Sequence, residues 1–368
     1  MNETAELRCW AEIDVDALRH NARVAREHLA TNVALLAVIK ANGYGHGLQA
    51  MADALRDEVQ FFGVANLQEA REARTVAPHP IIILGPALAA ERAGIVRDCF
   101  IPSVSSAAEA AEFSRVAAGS AVALNCKIDT GMGRMGIAER LAVEELKTIA
   151  ALPNVTIHSV STHLPSVGED EAYTREQLAR FEDLLARIRR EVRGMFLVHS
   201  LPSAGVFQCA DSAGDIVRAG LMLYGASHDS QRQAMLRPAL ALKSRVALLR
   251  PIEAGQSVSY GRTFIAPRPM RVATLSIGYA DGVPRSISNR DAAVLIRGRR
   301  CPILGRVTMD LIMANVTDVP GVDVGEEVVL IGRQEGEQIL ATEMAERAGT
   351  IAWEIFTGIG SRVARVYV

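Results

Sequence analysis

Lys40 is the residue whose placement most directly implies chemistry. It stands where the apolar run Val33-Ala34-Leu35-Leu36-Ala37-Val38-Ile39 stops and the glycine-punctuated loop Ala41-Asn42-Gly43-Tyr44-Gly45-His46-Gly47 begins. Lysine seldom closes a fully apolar strand unless its charge is paired or its pKa is lowered, and a lowered pKa makes the free amine a nucleophile toward carbonyls. An enzyme can hold an aldehyde cofactor that way, as a Schiff base. By itself the segment supports equally a lysine that marks the strand end and points to water. The arrangement recurs downstream. Lys127, Asp129 and Arg134 follow one strand-like run, Thr162 and His163 a second, His199 and Ser203 a third, and Arg218 and Gly220 a fourth.

The elements that must position these residues alternate regularly. Strand candidates occur at 33–39, 60–64, 80–84, 99–104, 120–128, 154–162, 195–199 and 214–218, with amphipathic segments such as 106–117, 138–151 and 171–192 between them. Eight βα units predict a closed parallel (β/α)8 barrel, whose chemistry lies at the C-terminal ends of its strands, where all the candidates above fall. Loops after strands seven and eight commonly hold a phosphate, and Ser203 with the backbone of Gly220-Leu221 offers a hydroxyl and N–H groups there. A doubly wound sheet is the competing arrangement, and Gly131-Met132-Gly133-Arg134-Met135-Gly136 matches its dinucleotide fingerprint. The match is discounted. The next strand does not end in an acid that would hold a ribose, and an arginine sits inside the loop.

After about residue 235 helical patterns nearly vanish, and short β-like runs appear between turn signals such as Glu253-Ala254-Gly255, Asp281-Gly282 and Arg297-Gly298. This predicts a barrel over 12–235 and a mainly β domain from 1–11 plus 236–368. The segment Arg8–Asp14 alternates like a strand and is expected to pair with the later domain, ahead of a first helix from Val15 to Leu29.

Composition narrows the partners. A net charge of −2 gives no electrostatic reason to expect nucleic acid or an anionic membrane. The N-terminus has no basic n-region or apolar h-region and no stretch reaches membrane-spanning length, so a cytoplasmic protein is expected. Cys9, Cys99, Cys126, Cys209 and Cys301 are far apart and odd in number, which predicts buried thiols rather than disulfides or a metal site.

Taken together, these residues resemble the bacterial alanine racemase family. The likeness includes Ala37 to Gly47 around Lys40, Lys127 to Gly136, Val217-Arg218-Ala219-Gly220, Val258-Ser259-Tyr260-Gly261, Ile277-Gly278-Tyr279-Ala280-Asp281-Gly282 and Gly305-Arg306-Val307-Thr308-Met309-Asp310. The resemblance implies a barrel plus β domain, pyridoxal 5'-phosphate on Lys40, and a head-to-tail homodimer with shared active sites. It implies interconversion of L-alanine and D-alanine, supplying D-alanine for peptidoglycan, by two bases on opposite faces of the substrate Cα: Lys40, and Tyr279 of the other subunit. Neighbours of Tyr279 alone would suggest a packed aromatic.

By the same resemblance Arg218 faces the pyridine nitrogen and leaves it unprotonated, His199 orients Arg218, and His163 packs on the ring. Tyr44, Ser203, Gly220, Leu221 and Trp353 belong near the phosphate. Arg134 binds the phenolic oxygen or the substrate carboxylate, Lys127 is often carbamylated to hold it, and Met309 and Asp310 border the substrate pocket. Gly43, Thr308, Pro202 and Trp353 stand where the family commonly has alanine, cysteine, asparagine and tyrosine. Serine or broad-specificity racemisation is the alternative substrate reading, with an amino-acid decarboxylase or a non-catalytic pyridoxal phosphate carrier further off.

Overall fold

The computed structural model describes residues 4–368. The chain divides into two compact units. One holds Arg19–Gly43 and Leu48–Leu223; the other holds Tyr44–Gly47, Tyr224–Val368 and the N-terminal segment through Leu18.

The first unit contains the predicted barrel. Its strands are Ala34–Val38, Phe61–Val64, Ile81–Pro86, Ile101–Val104, Val122–Asp129, Val155–Ser161, Leu197–His199 and Ile216–Ala219. Neighbours pair in parallel in chain order, and the eighth strand returns to the first with Arg218 opposite Leu36. Between strands seven and eight the seam is closed by a Pro202–Arg218 bridge and by Arg218 N–H donating to Leu201 O at 3.0 Å. The first strand is apolar on both faces because both are covered: Leu35, Leu36 and Ala37 are fully buried. Helices Leu67–Arg74, Ala107–Val116 and Glu171–Glu191 start on Asn66, Ser106 and Asp170, whose side chains accept N–H groups of the first turn. The first helix runs over Val15–Glu27, and His28 Nδ1 lies 2.8 Å from Val24 O at its end, so the imidazole takes up a terminal carbonyl two residues before the expected stop.

In the second unit Cys9–Ile13 lies between Leu240–Ile252, antiparallel, and Ala364–Tyr367, parallel. Leu240–Ile252 also pairs with Glu327–Gln334 and Met270–Leu275, so this long strand is the axis of the sheet. Trp10 is fully buried, and the Arg245 guanidinium lies 5.0 Å from its ring centroid. Two short helices, Ala341–Ala348 and Ala352–Gly358, were not expected in a mainly β region. No helix among the described residues is long and apolar enough to cross a membrane.

Phe62, fully buried on the second barrel strand, packs edge-on against His79 at 5.4 Å. Phe62→Ala should cost about 3–5 kcal/mol, read as a lower urea midpoint at unchanged slope; a loss below about 1 kcal/mol would contradict this packing.

Candidate active site

Lys40 opens a left-handed turn just past the first barrel strand: Ala41, Asn42 and Gly43 have φ of 54°, 54° and 60°. Such backbone costs a residue with a side chain on the order of 1–2 kcal/mol, so it must be held from outside. Ala41 N–H donates to Glu69 Oε1 at 2.7 Å, Leu48 N–H to Asn42 Oδ1 at 3.0 Å, and Gly43 N–H to Ile39 O at 2.8 Å. A Cβ on Gly43 would lie 2.6 Å from Met51 Cγ, so glycine relieves strain and crowding together. Lys40 is half-buried. Burial first, then the Arg134 charge, lower its pKa against the opposing pull of Glu69.

Asp129 organises the loop after the fifth strand. Its Oδ1 accepts N–H groups of Gly131, Met132 and Gly133 at 3.0, 2.9 and 3.1 Å. Burial alone would raise this carboxyl, but the three bonds and nearby Lys127 outweigh it and hold the pKa below the ordinary value. Behind the loop, Gln177 Nε2 donates to Thr130 Oγ1 at 2.7 Å and Arg180 Nη2 to Thr130 O at 2.8 Å. The loop presents Arg134, exposed. Lys127 points from the same strand, and its Nζ has no hydrogen-bond or ion-pair partner among the described residues. Burial, then the charges of Arg218 and Arg134, push its amine well below the usual lysine range.

Arg218 is nearly buried on the eighth strand. Nη1 donates to His199 Nδ1 at 2.6 Å and His199 O at 2.9 Å; Nη2 donates to Thr162 O and Ser200 O, both at 2.7 Å, and lies 3.3 Å from His163 Nδ1. Four of the five guanidinium N–H bonds therefore end inside the protein. Nε–H has no protein acceptor among the described residues. Burial lowers the Arg218 pKa only to about 10, so it stays charged at neutral pH. His163 is pushed down to about 2 by burial and then by the Arg218, Lys127, Arg134 and Lys40 charges, and His199 falls for the same first two reasons. Both imidazoles are neutral.

Ser203 Oγ accepts Gly220 N–H at 2.8 Å and Met222 N–H at 3.4 Å. Gly220 N–H is thus taken, and the group left to donate there is the Ser203 hydroxyl, with Leu221 following in the turn Leu221–Tyr224. Around this mouth the cations Lys40, Lys127, Arg134 and Arg218 face Asp129 and Glu69, whose oxygens are already bonded to backbone N–H groups. These residues fit pyridoxal phosphate: an amine for its aldehyde, a spare Nε–H for a ring nitrogen, and net positive charge for its phosphate.

Tyr279 belongs to the second unit and is 41% exposed, on the single turn Tyr279–Asp281. Its N–H donates to Thr308 O and Ala280 N–H to Met309 O, both at 3.0 Å. A Cβ on Gly278 would lie 2.3 Å from Met309 O, so only glycine lets the two backbones meet. Buried Asp281 accepts Gly278 N–H at 2.9 Å and pairs with Arg362 Nε at 3.1 Å, while Arg362 Nη2 donates to Asp310 at 2.8 Å. Tyr279, Met309 and Asp310 are thereby tied into one block. In the same unit Tyr44 stacks on Tyr224 at 4.7 Å; burial raises its phenol to about 12 against an opposing influence of Trp353.

Asn125, Ser159 and Arg362 carry no motif signal. Asn125 does share the alternation of Lys127 in the fifth strand, and that inward parity is the one sign available.

Because the folded-state pKa of Asp129 lies below its ordinary value of 3.8, its carboxylate contributes stability that is complete above that value and is lost as pH falls through the folded pKa. Asp129→Asn should lower stability at pH 7 and flatten its decline as pH falls below about 4. Equal acid slopes for variant and parent in urea titrations would remove this role.

Profiles of the alanine racemase N-terminal and C-terminal domains match residues 13–228 and 239–367. The chain is 40% identical to the alanine racemase of Halothermothrix orenii, over 100% of this chain and 98% of that one. Its fold is similar to the alanine racemase of Clostridium difficile 630, with a TM-score of 0.93 and 31% identity over 99% and 96% of the two chains. A similar structure, alanine racemase from Bartonella henselae with covalently bound pyridoxal phosphate, gives a TM-score of 0.87 and 29% identity over 98% and 99%. The chain belongs to the alanine racemase family, the pyridoxal phosphate-dependent isomerases.

Proposed function

We propose that this chain racemises alanine with two bases, Lys40 and Tyr279, and that a second copy of the chain supplies Tyr279 to the site built around Lys40. The observation that carries the reading is the Lys40 amine, held on a strained turn with a lowered pKa beside cations that it cannot pair with. When bound, pyridoxal phosphate supplies an electron sink that acidifies the Cα–H of an amino acid.

The protein's own part follows from charge and position. Lys40 Nζ would hold the cofactor and, once released from it, act as the base on one face of Cα, because a lowered pKa keeps the neutral amine accessible. Tyr279 Oη would serve the opposite face, so that one group removes a proton and the other returns one without rotation of the substrate. Arg218 would donate Nε–H to the ring nitrogen without surrendering a proton, which moderates the electron sink and discourages transamination. His163 would pack on the ring as a neutral imidazole. Arg134 would bind the cofactor's phenolic oxygen or the substrate carboxylate; carbamylation of Lys127 would replace a like charge beside Arg134 with a partner. Tyr44, Ser203, Leu221 and Trp353 would serve the phosphate, with Gly220 holding Ser203, and Met309 and Asp310 of the second copy would border the substrate.

The test is incubation of the holoenzyme with L-alanine, and separately L-serine, in deuterated water. Racemisation with deuterium at Cα is expected for alanine, and Tyr279→Phe should lower kcat by about 10²–10⁴-fold. Cofactor binding without exchange for any amino acid would overturn the function. Mixing Lys40→Ala with Tyr279→Phe protein, each inactive alone, should restore about a quarter of parental activity, since random pairing leaves half the dimers with one intact site of two. No recovery from subunits shown to exchange would place both bases on one chain.

A further inference from the structure

Parallel barrels are ordinarily filled with branched apolar side chains, yet a polar path crosses this one. Ser103, Asn125, Ser159 and His199 come from the fourth to seventh strands, and each is at most 1% exposed. Groups buried so completely are costly unless every donor meets an acceptor.

The bonds can be oriented in one way only. Guanidinium nitrogens accept nothing, so His199 Nδ1, 2.6 Å from Arg218 Nη1, is the acceptor and the imidazole proton sits on Nε2. Nε2–H then donates to Asn125 Oδ1 at 3.1 Å, where Ser159 Oγ also donates at 3.0 Å. Asn125 Nδ2 donates to Ser103 Oγ at 2.9 Å, whose proton goes to Ile83 O at 2.7 Å. Reversing the amide would set its NH2 against the Nε2–H of His199. Since the Ser159 proton is engaged by Asn125, His158 Nδ1, 3.1 Å from Ser159 Oγ, must donate in that pair.

We propose that Asn125, braced by Ser103 and Ser159, is a positioning residue that fixes His199 in the Nε2–H tautomer, so that Nδ1 always accepts from Arg218 and the Arg218 Nε–H stays available to the cofactor. The last clause rests on the role given to Arg218 above; the tautomer does not. With a proton on Nδ1, His199 would oppose an N–H to an N–H at this short distance and Arg218 would lose that anchor. The groups facing His199 from the surrounding strands, Arg218, Lys127 and His158, all disfavour its protonation. The relay also assigns opposite tautomers to two histidines on adjacent strands: Nε2–H on His199 and Nδ1–H on His158.

Holoenzyme labelled with 15N-histidine, examined by two-bond 1H–15N correlation and assigned with His158→Gln, should show this pair of tautomers. Asn125→Asp exchanges the Nδ2 donor for an acceptor and sets a carboxylate against Nε2–H. It is expected to protonate both nitrogens of His199, to lower kcat by about 10- to 100-fold with KM altered far less, and to shift the pH dependence of the cofactor's absorbance. Ser159→Ala should leave the His199 tautomer in place while His158 alone loses its Nδ1–H preference, which decides the matter where Asn125→Asp fails to fold. A proton on His199 Nδ1 in the parent, or Asn125→Asp with an unchanged His199 spectrum and kcat, would overturn the proposal. The expected spectrum in an enzyme that racemises nothing would count against the proposed function and not against the relay.

Discussion

Four cations share one barrel mouth, and the two carboxylates nearest them are already bonded to backbone N–H groups. Like charges in a partly desolvated site repel strongly, and something must yield. Arginine cannot: its intrinsic pKa is so high that burial brings Arg218 only to about 10. The lysines and histidines yield instead. Lys40 and Lys127 shift toward neutral amines, while His163 and His199 lose any tendency to protonate. One electrostatic constraint thereby sorts the side chains into permanent donors, neutral acceptors and groups able to exchange a proton.

Backbone geometry maintains that constraint. Asp129 offsets the Lys127 charge only in part, because the loop folds three N–H groups onto its oxygens and it makes no direct bond to the amine. Glu69 is likewise engaged by Ala41 and Ala65 N–H groups, and the same bonds hold the left-handed turn that carries Lys40. Strain at the turn and charge at the mouth are therefore coupled: the carboxylate that holds the turn also partly offsets the Lys40 charge.

The eight strands were legible because each is a short apolar run bounded by turn residues, and the strand-end polar residues followed once a barrel was inferred. What escaped the sequence was polarity inside strands. Asn125 and Ser159 look like ordinary interruptions of a β pattern, and their value appears only when four strands close around them. The two late helices, Ala341–Ala348 and Ala352–Gly358, are too short for periodicity to separate from turns. The discounted glycine motif has a physical explanation: its loop does gather N–H groups around an anion, but the anion is the chain's own Asp129.

Two departures from the family pattern make hydrogen bonds more directional. Thr308 donates its hydroxyl to Leu311 O at 2.7 Å, pinning the loop on which the Tyr279 turn rests; a thiol at this position would be a weaker donor. Trp353 can only donate, so the indole, which opposes the burial-driven rise of the Tyr44 phenol, cannot take the phenol proton. A tyrosine at 353 could take either role, and the direction of the Tyr44 hydroxyl would then be undetermined. With indole in place, the Tyr44 proton is left for another acceptor.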